Sequence, residues 1–162
     1  MPDEQSVPRL AVIGAGKVGA TLARLAHAAG YRVSAVYSPT TAHAADLAAR
    51  VDAQVAGSAE EALHHADLVL LTVPDDAIGP VAASLRNADW QGRALVHTSG
   101  AASLDVLEPV AAAGAMTGSL HPAFPFADVE QSVRELPGAA FALESSHERL
   151  RGWLHDLVSA LH

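Results

Sequence analysis

Residues 14–19 read Gly14-Ala15-Gly16-Lys17-Val18-Gly19, a Gly-x-Gly-x-x-Gly spacing that follows directly on an apolar run. In such a turn the first glycine permits a tight strand-to-helix bend and the second lets backbone approach a phosphate. The third lets the helix pack closely on the strand. A helix opening there offers unpaired N–H groups and the positive end of its dipole to an anion. The chemistry this suits is dinucleotide binding, with Gly14, Ala15, Gly16, Lys17, Val18 and Gly19 as the candidate contacts. Lys17 either adds charge near the phosphates or is a solvated lysine on the first turn.

Four further stretches carry candidates. About twenty residues on, where an acid would hold an NAD ribose, the chain reads Val36-Tyr37-Ser38-Pro39-Thr40-Thr41 and has no acid before Asp46. Hydroxyls of Ser38, Thr40 and Thr41 suit the 2′-phosphate of NADP, although no arginine accompanies them. NADP is therefore expected over NAD. Val73 and Pro74 lie where a dinucleotide would cross, and Asp75 or Asp76 is expected to cap the helix that follows. His97-Thr98-Ser99-Gly100 ends another apolar run. Thr98 and Ser99 can meet a nicotinamide amide or a substrate carbonyl, or Ser99 can bond its own turn. His97, one step further in, reads as a core or sheet-face histidine. Finally, Gly118-Ser119-Leu120-His121-Pro122-Ala123-Phe124-Pro125-Phe126 places a histidine just after a predicted strand. Imidazole at that position can protonate a carbonyl oxygen as hydride arrives, or it can tie a stiff Pro-rich loop to the sheet. Phe124 and Phe126 would wall an apolar pocket or pack on a covering domain.

The elements that must position these groups are legible as alternation. Predicted strands cover residues 9–13, 32–37, 53–56, 68–73, 94–98, 115–120 and 139–143. Several are continuous apolar runs, as strands buried on both faces are. Helical spacing appears in Val18, Leu22, Leu25, Ala26 and Ala29, with Gly30 as a stop, and in Ile78, Val81, Ala82 and Leu85. Ser103 is placed to cap a helix that Pro109 shortens. Leu150, Trp153, Leu154, Leu157, Val158 and Leu161 stripe a last helix. The expected architecture is α/β, a doubly wound, mostly parallel sheet, forming one domain over residues 1–162.

Bulk composition narrows the function classes. The sequence has no cysteine, which excludes a disulfide framework or a thiolate centre. Its formal charge of -8, with one lysine and nine arginines, gives no basic stripe for nucleic acid or anionic lipid. No apolar stretch approaches the roughly 18 residues of a membrane span. The first ten residues, polar and acidic, do not resemble a secretory signal, so a cytoplasmic protein is expected. No histidine pair has a recognised ligand spacing, so no metal is expected. The nucleophile elbow Gly-x-Ser-x-Gly is absent, which leaves a serine hydrolase without support. A methyltransferase using S-adenosylmethionine fits less well than a dinucleotide enzyme.

Taken together, GAGKVGATLARL, ADLVLLTVPDDAI, LVHTSGA and GSLHPAFPFAD, in this order, resemble a family of bacterial Rossmann-like proteins. That family carries an all-helical C-terminal domain of unknown function. It is similar to the 6-phosphogluconate dehydrogenase, pyrroline-5-carboxylate reductase and ketopantoate reductase group. The resemblance implies an NAD(P)-dependent reductase or dehydrogenase of a small oxo or hydroxy acid, possibly ketopantoate, with Ser99 and His121 at the substrate. It also implies a helical partner domain, beyond this chain, that closes the site and makes a homodimer. The competing expectation is a non-catalytic nucleotide-binding or redox-sensing module.

Overall fold

The computed structural model describes residues 6–162; most of the polar N-terminal segment, residues 1–5, on which the signal-peptide expectation rests, lies outside them. Seven strands form one sheet: β1 (Leu10–Ile13), β2 (Val33–Tyr37), β3 (Gln54–Val55), β4 (Leu68–Leu71), β5 (Ala94–His97), β6 (Met116–Pro122) and β7 (Phe141–Ser145). Their order is β3-β2-β1-β4-β5-β6-β7. The first six are parallel and β7 returns antiparallel to β6. The order reverses between β1 and β4, which opens a crevice beyond their carboxyl ends.

The helices are α1 (Lys17–Ala28), α2 (Thr41–Arg50), α3 (Ala59–His64), α4 (Asp75–Ser84), α5 (Glu108–Ala111), α6 (Val129–Glu135) and α7 (Glu148–Ala160). A 3-10 turn, Leu104–Leu107, leads into α5. The apolar strands divide their side chains by alternation. Ala11, Ile13, Val69, Leu71 and Leu95 face the core shared with Ile78, Ala82 and Leu107. Leu10, Leu68, Leu70, Ala94 and Val96 face the opposite core, shared with Leu22, Leu150, Leu154 and Leu157. Val12 joins α1 and α2 through Ala23, Ala44 and Leu47. Burial on both faces explains why these strands read as unbroken apolar runs.

All seven expected strands are present, with shifts at their ends. β4 stops at Leu71, two residues short of the expected end, because the chain turns at Thr72 to enter α4. β6 runs on to Pro122 because β7 pairs with it there, His121 opposite Ala142 and Pro122 opposite Phe141. His121 therefore stands in the strand, not after it. The expected cap at Asp75 or Asp76 is corrected as well. Pro74 is the N-cap residue and no side chain caps α4, so both aspartates fall in its first turn, where they face the positive helix end. Ser103 does cap its turn, its hydroxyl oxygen accepting from Asp105 N at 3.3 Å. Pro109 falls in the first turn of the four-residue α5, where a helix tolerates its missing N–H.

Candidate active site

The glycine turn joins β1 to α1 at the crevice. Gly14 has φ +108°, and a Cβ there would lie 2.8 Å from the Thr72 carbonyl carbon and oxygen. A Cβ on Gly19 would collide with Gly14 O and Thr72 Oγ1. Thr72 accounts for both constraints. Its hydroxyl donates to Gly14 O at 2.7 Å and lies 3.2 Å from Ile13 O, and its N–H donates to Ile13 O. Thr72 thus ties the β4 end to the turn. It was missed in the sequence, where its only signal is a lone hydroxyl at the end of an apolar run. Gly16 differs from its two companions. It has an ordinary φ of -78° as N-cap of α1, and a Cβ placed on it would meet nothing within 4 Å. No neighbouring atom demands glycine there, and the space over the helix N-terminus is open. Ala15, half-buried, and the exposed Lys17 flank it, while Val18 packs partly into the core.

At the end of β2, Ser38 Oγ accepts from Thr40 N at 3.2 Å and the Thr40 hydroxyl makes no capping bond. A cleft of about 280 Å³ lies here, lined by Tyr37, Ser38, Pro39, Thr41, Val55, Ala56 and Gly57. Its lining mixes the apolar Tyr37, Pro39, Val55 and Ala56 with the hydroxyls of Ser38 and Thr41. Val73 and Pro74 sit between β4 and α4, Val73 half-buried and Pro74 exposed on the rim.

The ends of β5 and β6 hold the remaining candidates. His97 is wholly buried. Ser99 N donates to its Nδ1 at 3.1 Å, so Nε2 carries the hydrogen and donates to Ser103 O at 3.3 Å. Burial pushes its pKa down, against weaker opposing contributions from Ser103, Asp75 and Glu144. His97 is a neutral brace for the loop that carries Ser99. The Ser99 hydroxyl oxygen accepts from Ala101 N at 3.1 Å and Ala102 N at 3.0 Å. The turn-bonding expectation for Ser99 holds, and the same contacts leave its O–H free to donate.

His121 lies half-buried beside this loop. Its Nδ1 is 3.3 Å from Thr98 O, and since a carbonyl only accepts, Nδ1 carries the hydrogen and Nε2 is the nitrogen left over. The ring rests on Gly100, where a Cβ would come within 2.5 Å of Nε2 and 2.8 Å of Cδ2 and Cε1. Gly100 is thus the seat of His121, and the residue after Ser99. Phe124 and Phe126 stack edge to face at 5.2 Å and pack on the core that contains Leu22, Leu120 and Leu136. They close the edge of that core and are half-buried in it. Among the described residues no cluster of three or more possible metal ligands occurs, and no helix is long and apolar enough to cross a membrane.

A parallel sheet whose order reverses at a Gly-x-Gly-x-x-Gly turn defines a Rossmann-type domain of the dinucleotide-binding class. Residues 9–100 match the family model described as NADP oxidoreductase, coenzyme F420-dependent, and the chain belongs to that family. Among solved structures it is similar to a Bacteroides fragilis protein described as a candidate NADP oxidoreductase. That pair is 25% identical with a TM-score of 0.82, over 94% of this chain and 57% of that one. It shares its fold with Mycobacterium tuberculosis 3-hydroxyisobutyrate dehydrogenase (20% identity, TM-score 0.78, 96% of this chain and 52% of that one). The same holds for a Plasmodium falciparum pyrroline carboxylate reductase solved with NADP bound (16%, TM-score 0.72, 94% and 55%). The chain spans about half the length of these relatives. No curated protein sequence matches it.

Proposed function

We propose that this chain is the nucleotide-binding half of an NAD(P)-dependent oxidoreductase acting on a small oxo or hydroxy acid, with NADP preferred over NAD. The observation that carries the reading is Gly16. Two of the three glycines are demanded by packing against Thr72 and the turn itself, and the third leaves open the space a pyrophosphate would occupy. The family match and the hydroxy-acid dehydrogenase among the structural relatives support the reaction class. A helical companion domain over the rim would complete the substrate site and join two copies.

The nicotinamide, when bound, supplies or accepts the hydride. The residues of this chain do the rest. Backbone N–H groups of residues 15–18 hold the pyrophosphate, and Ser38, Thr40 and Thr41 offer hydroxyls to the adenosine ribose. Val73 and Pro74 would flank a bound dinucleotide. Thr98 and Ser99 lie at the nicotinamide end, where the free Ser99 O–H donates to the substrate oxygen. His121, its Nδ1–H anchored on Thr98 O, picks up a solvent proton on Nε2, delivers it from the imidazolium to that oxygen during reduction and takes it back during oxidation. Steady-state assay of NADPH oxidation with a panel of 2-oxo acids tests this. Substrate-dependent turnover that His121→Ala lowers more than it lowers NADPH affinity is expected. Unchanged turnover in that variant returns His121 to a structural role, and nucleotide binding with no turnover favours the sensing module.

A further inference from the structure

His97 and His121 are joined through a single amide. Ser99 N–H donates to His97 Nδ1 at 3.1 Å, and Thr98 O accepts from His121 Nδ1 at 3.3 Å. That N–H and that carbonyl are the two ends of one peptide unit. In a planar trans peptide they point in opposite directions, so the two rings stand on either side of it. His97 extends the row, its Nε2–H donating to Ser103 O at 3.3 Å. Every hydrogen in the row points the same way, from His121 through the amide and His97 to Ser103. Hydrogen bonds aligned head to tail polarise one another, and do so more strongly away from water. The middle of this row is dry, because His97 is wholly buried. Its open end is Nε2 of the half-buried His121.

We propose that His97 is a positioning residue for His121, acting through the amide between Thr98 and Ser99. This rests on the reading of His121 as the proton donor and adds the group that prepares it. From its buried place His97 fixes the plane of the amide, and with it the direction from which Thr98 O meets the His121 ring. Ser99 is carried by the same amide. By accepting from Ser99 N–H, His97 also shifts electron density toward Thr98 O. That oxygen becomes a stronger partner for Nδ1–H once a second proton arrives on Nε2. Burial disfavours charge on His97 itself, so the row keeps its direction while His121 takes up and gives away protons. Among the described residues neither ring has a carboxylate within 4 Å. Asp75, at the start of α4, and Glu144, on β7, act on His97 from further off. Glu144 stands two residues from Ala142, the β7 partner of His121. Asp105 and Glu108, on the turn and the helix packed against β6, are exposed.

Imidazole nitrogen NMR of the chain, titrated with acid in the absence of substrate and nucleotide, tests the row. In the wild type, neutral His121 is expected as the Nδ1–H tautomer, with His97 remaining the neutral Nε2–H tautomer while His121 titrates. A neutral His121 that carries its hydrogen on Nε2 overturns the proposal, and this result needs no substitution at the buried site. His97→Leu removes the acceptor for Ser99 N–H, whereas His97→Asn keeps one. In folded His97→Leu, His121 should bind its second proton about threefold more weakly than in the wild type, a modest weakening of one charge-assisted bond. His97→Asn should retain most of that affinity. The loss should persist when Glu144→Gln is added to both chains; a loss that vanishes there belongs to the carboxylate and overturns the proposal. Equal proton affinity in the wild type and folded His97→Leu leaves His97 a brace only, with the proton-donor reading of His121 intact. If the row is present but His121→Ala turns over substrate as fast as the wild type, the donor reading and the positioning role fall together.

Discussion

The neighbouring ends of β5 and β6 each present a histidine toward the same loop, and the two are held in opposite ways. His97 is wholly buried, with one nitrogen accepting from Ser99 N and the other donating to Ser103 O. Nothing is left over for a ligand. His121 is anchored through one nitrogen only, on Thr98 O, and rests its ring on Gly100. Its second nitrogen is uncommitted. Residue type alone does not separate a brace from a proton donor; the number of ring nitrogens already spent does. The same test separates Gly14 and Gly19, whose space is filled by Thr72, from Gly16, whose space is open.

That contrast can be broken by substitution. The largest effect is expected for His121→Ala, which should lower hydride-transfer turnover by about 10²–10⁴-fold, the usual contribution of a positioned general acid. Its effect on stability should stay within about 1 kcal/mol, since it removes one long hydrogen bond. His97→Ala should do the reverse. It empties a buried site and leaves Ser99 N and Ser103 O without partners, so chemical denaturation should show a loss of roughly 2–4 kcal/mol. If His97→Ala unfolds at the wild-type denaturant concentration, the brace assignment fails. Gly100→Ala is next in size. The added methyl must displace the His121 ring, an overpacking cost of about 1–3 kcal/mol, and turnover should fall while NADPH affinity holds.

The smallest effect is a pH dependence. The buried His97 has its pKa held below the ordinary value, so the unfolded chain takes up this proton more readily than the folded one. The associated stability is present above the unfolded value of about 6.5 and is lost as pH falls toward the folded value. Denaturation midpoints between pH 7 and pH 5 should decline less steeply in His97→Gln than in the wild type. An identical slope would show that His97 is not the group responsible.

Much of the sheet was legible because burial on both faces writes itself as runs such as Leu68-Val69-Leu70-Leu71, and the glycine turn because sterics leave few alternatives there. Shorter helices were harder to place. α2 buries only Ala44, Leu47 and Ala48, a faint stripe in an alanine-rich segment, and α3 and α6 are six and seven residues long. The position of His121 within β6 depends on pairing with β7, a contact between segments whose register no local pattern specifies. Thr72 was overlooked for a related reason, since its partners Ile13 and Gly14 lie 59 and 58 residues away in sequence.

The central claim is that the β1–β4 crevice holds a nicotinamide dinucleotide on the bare backbone at Gly16. It is tested most directly by calorimetric titration of wild type and Gly16→Val with NADPH. The Cβ position there is open, so the variant should fold with a loss of only about 1 kcal/mol for the poorer N-cap, yet lose most of its NADPH affinity. A folded Gly16→Val chain that binds NADPH as tightly as the wild type, or a wild type that binds neither NADPH nor NADH, would contradict the account.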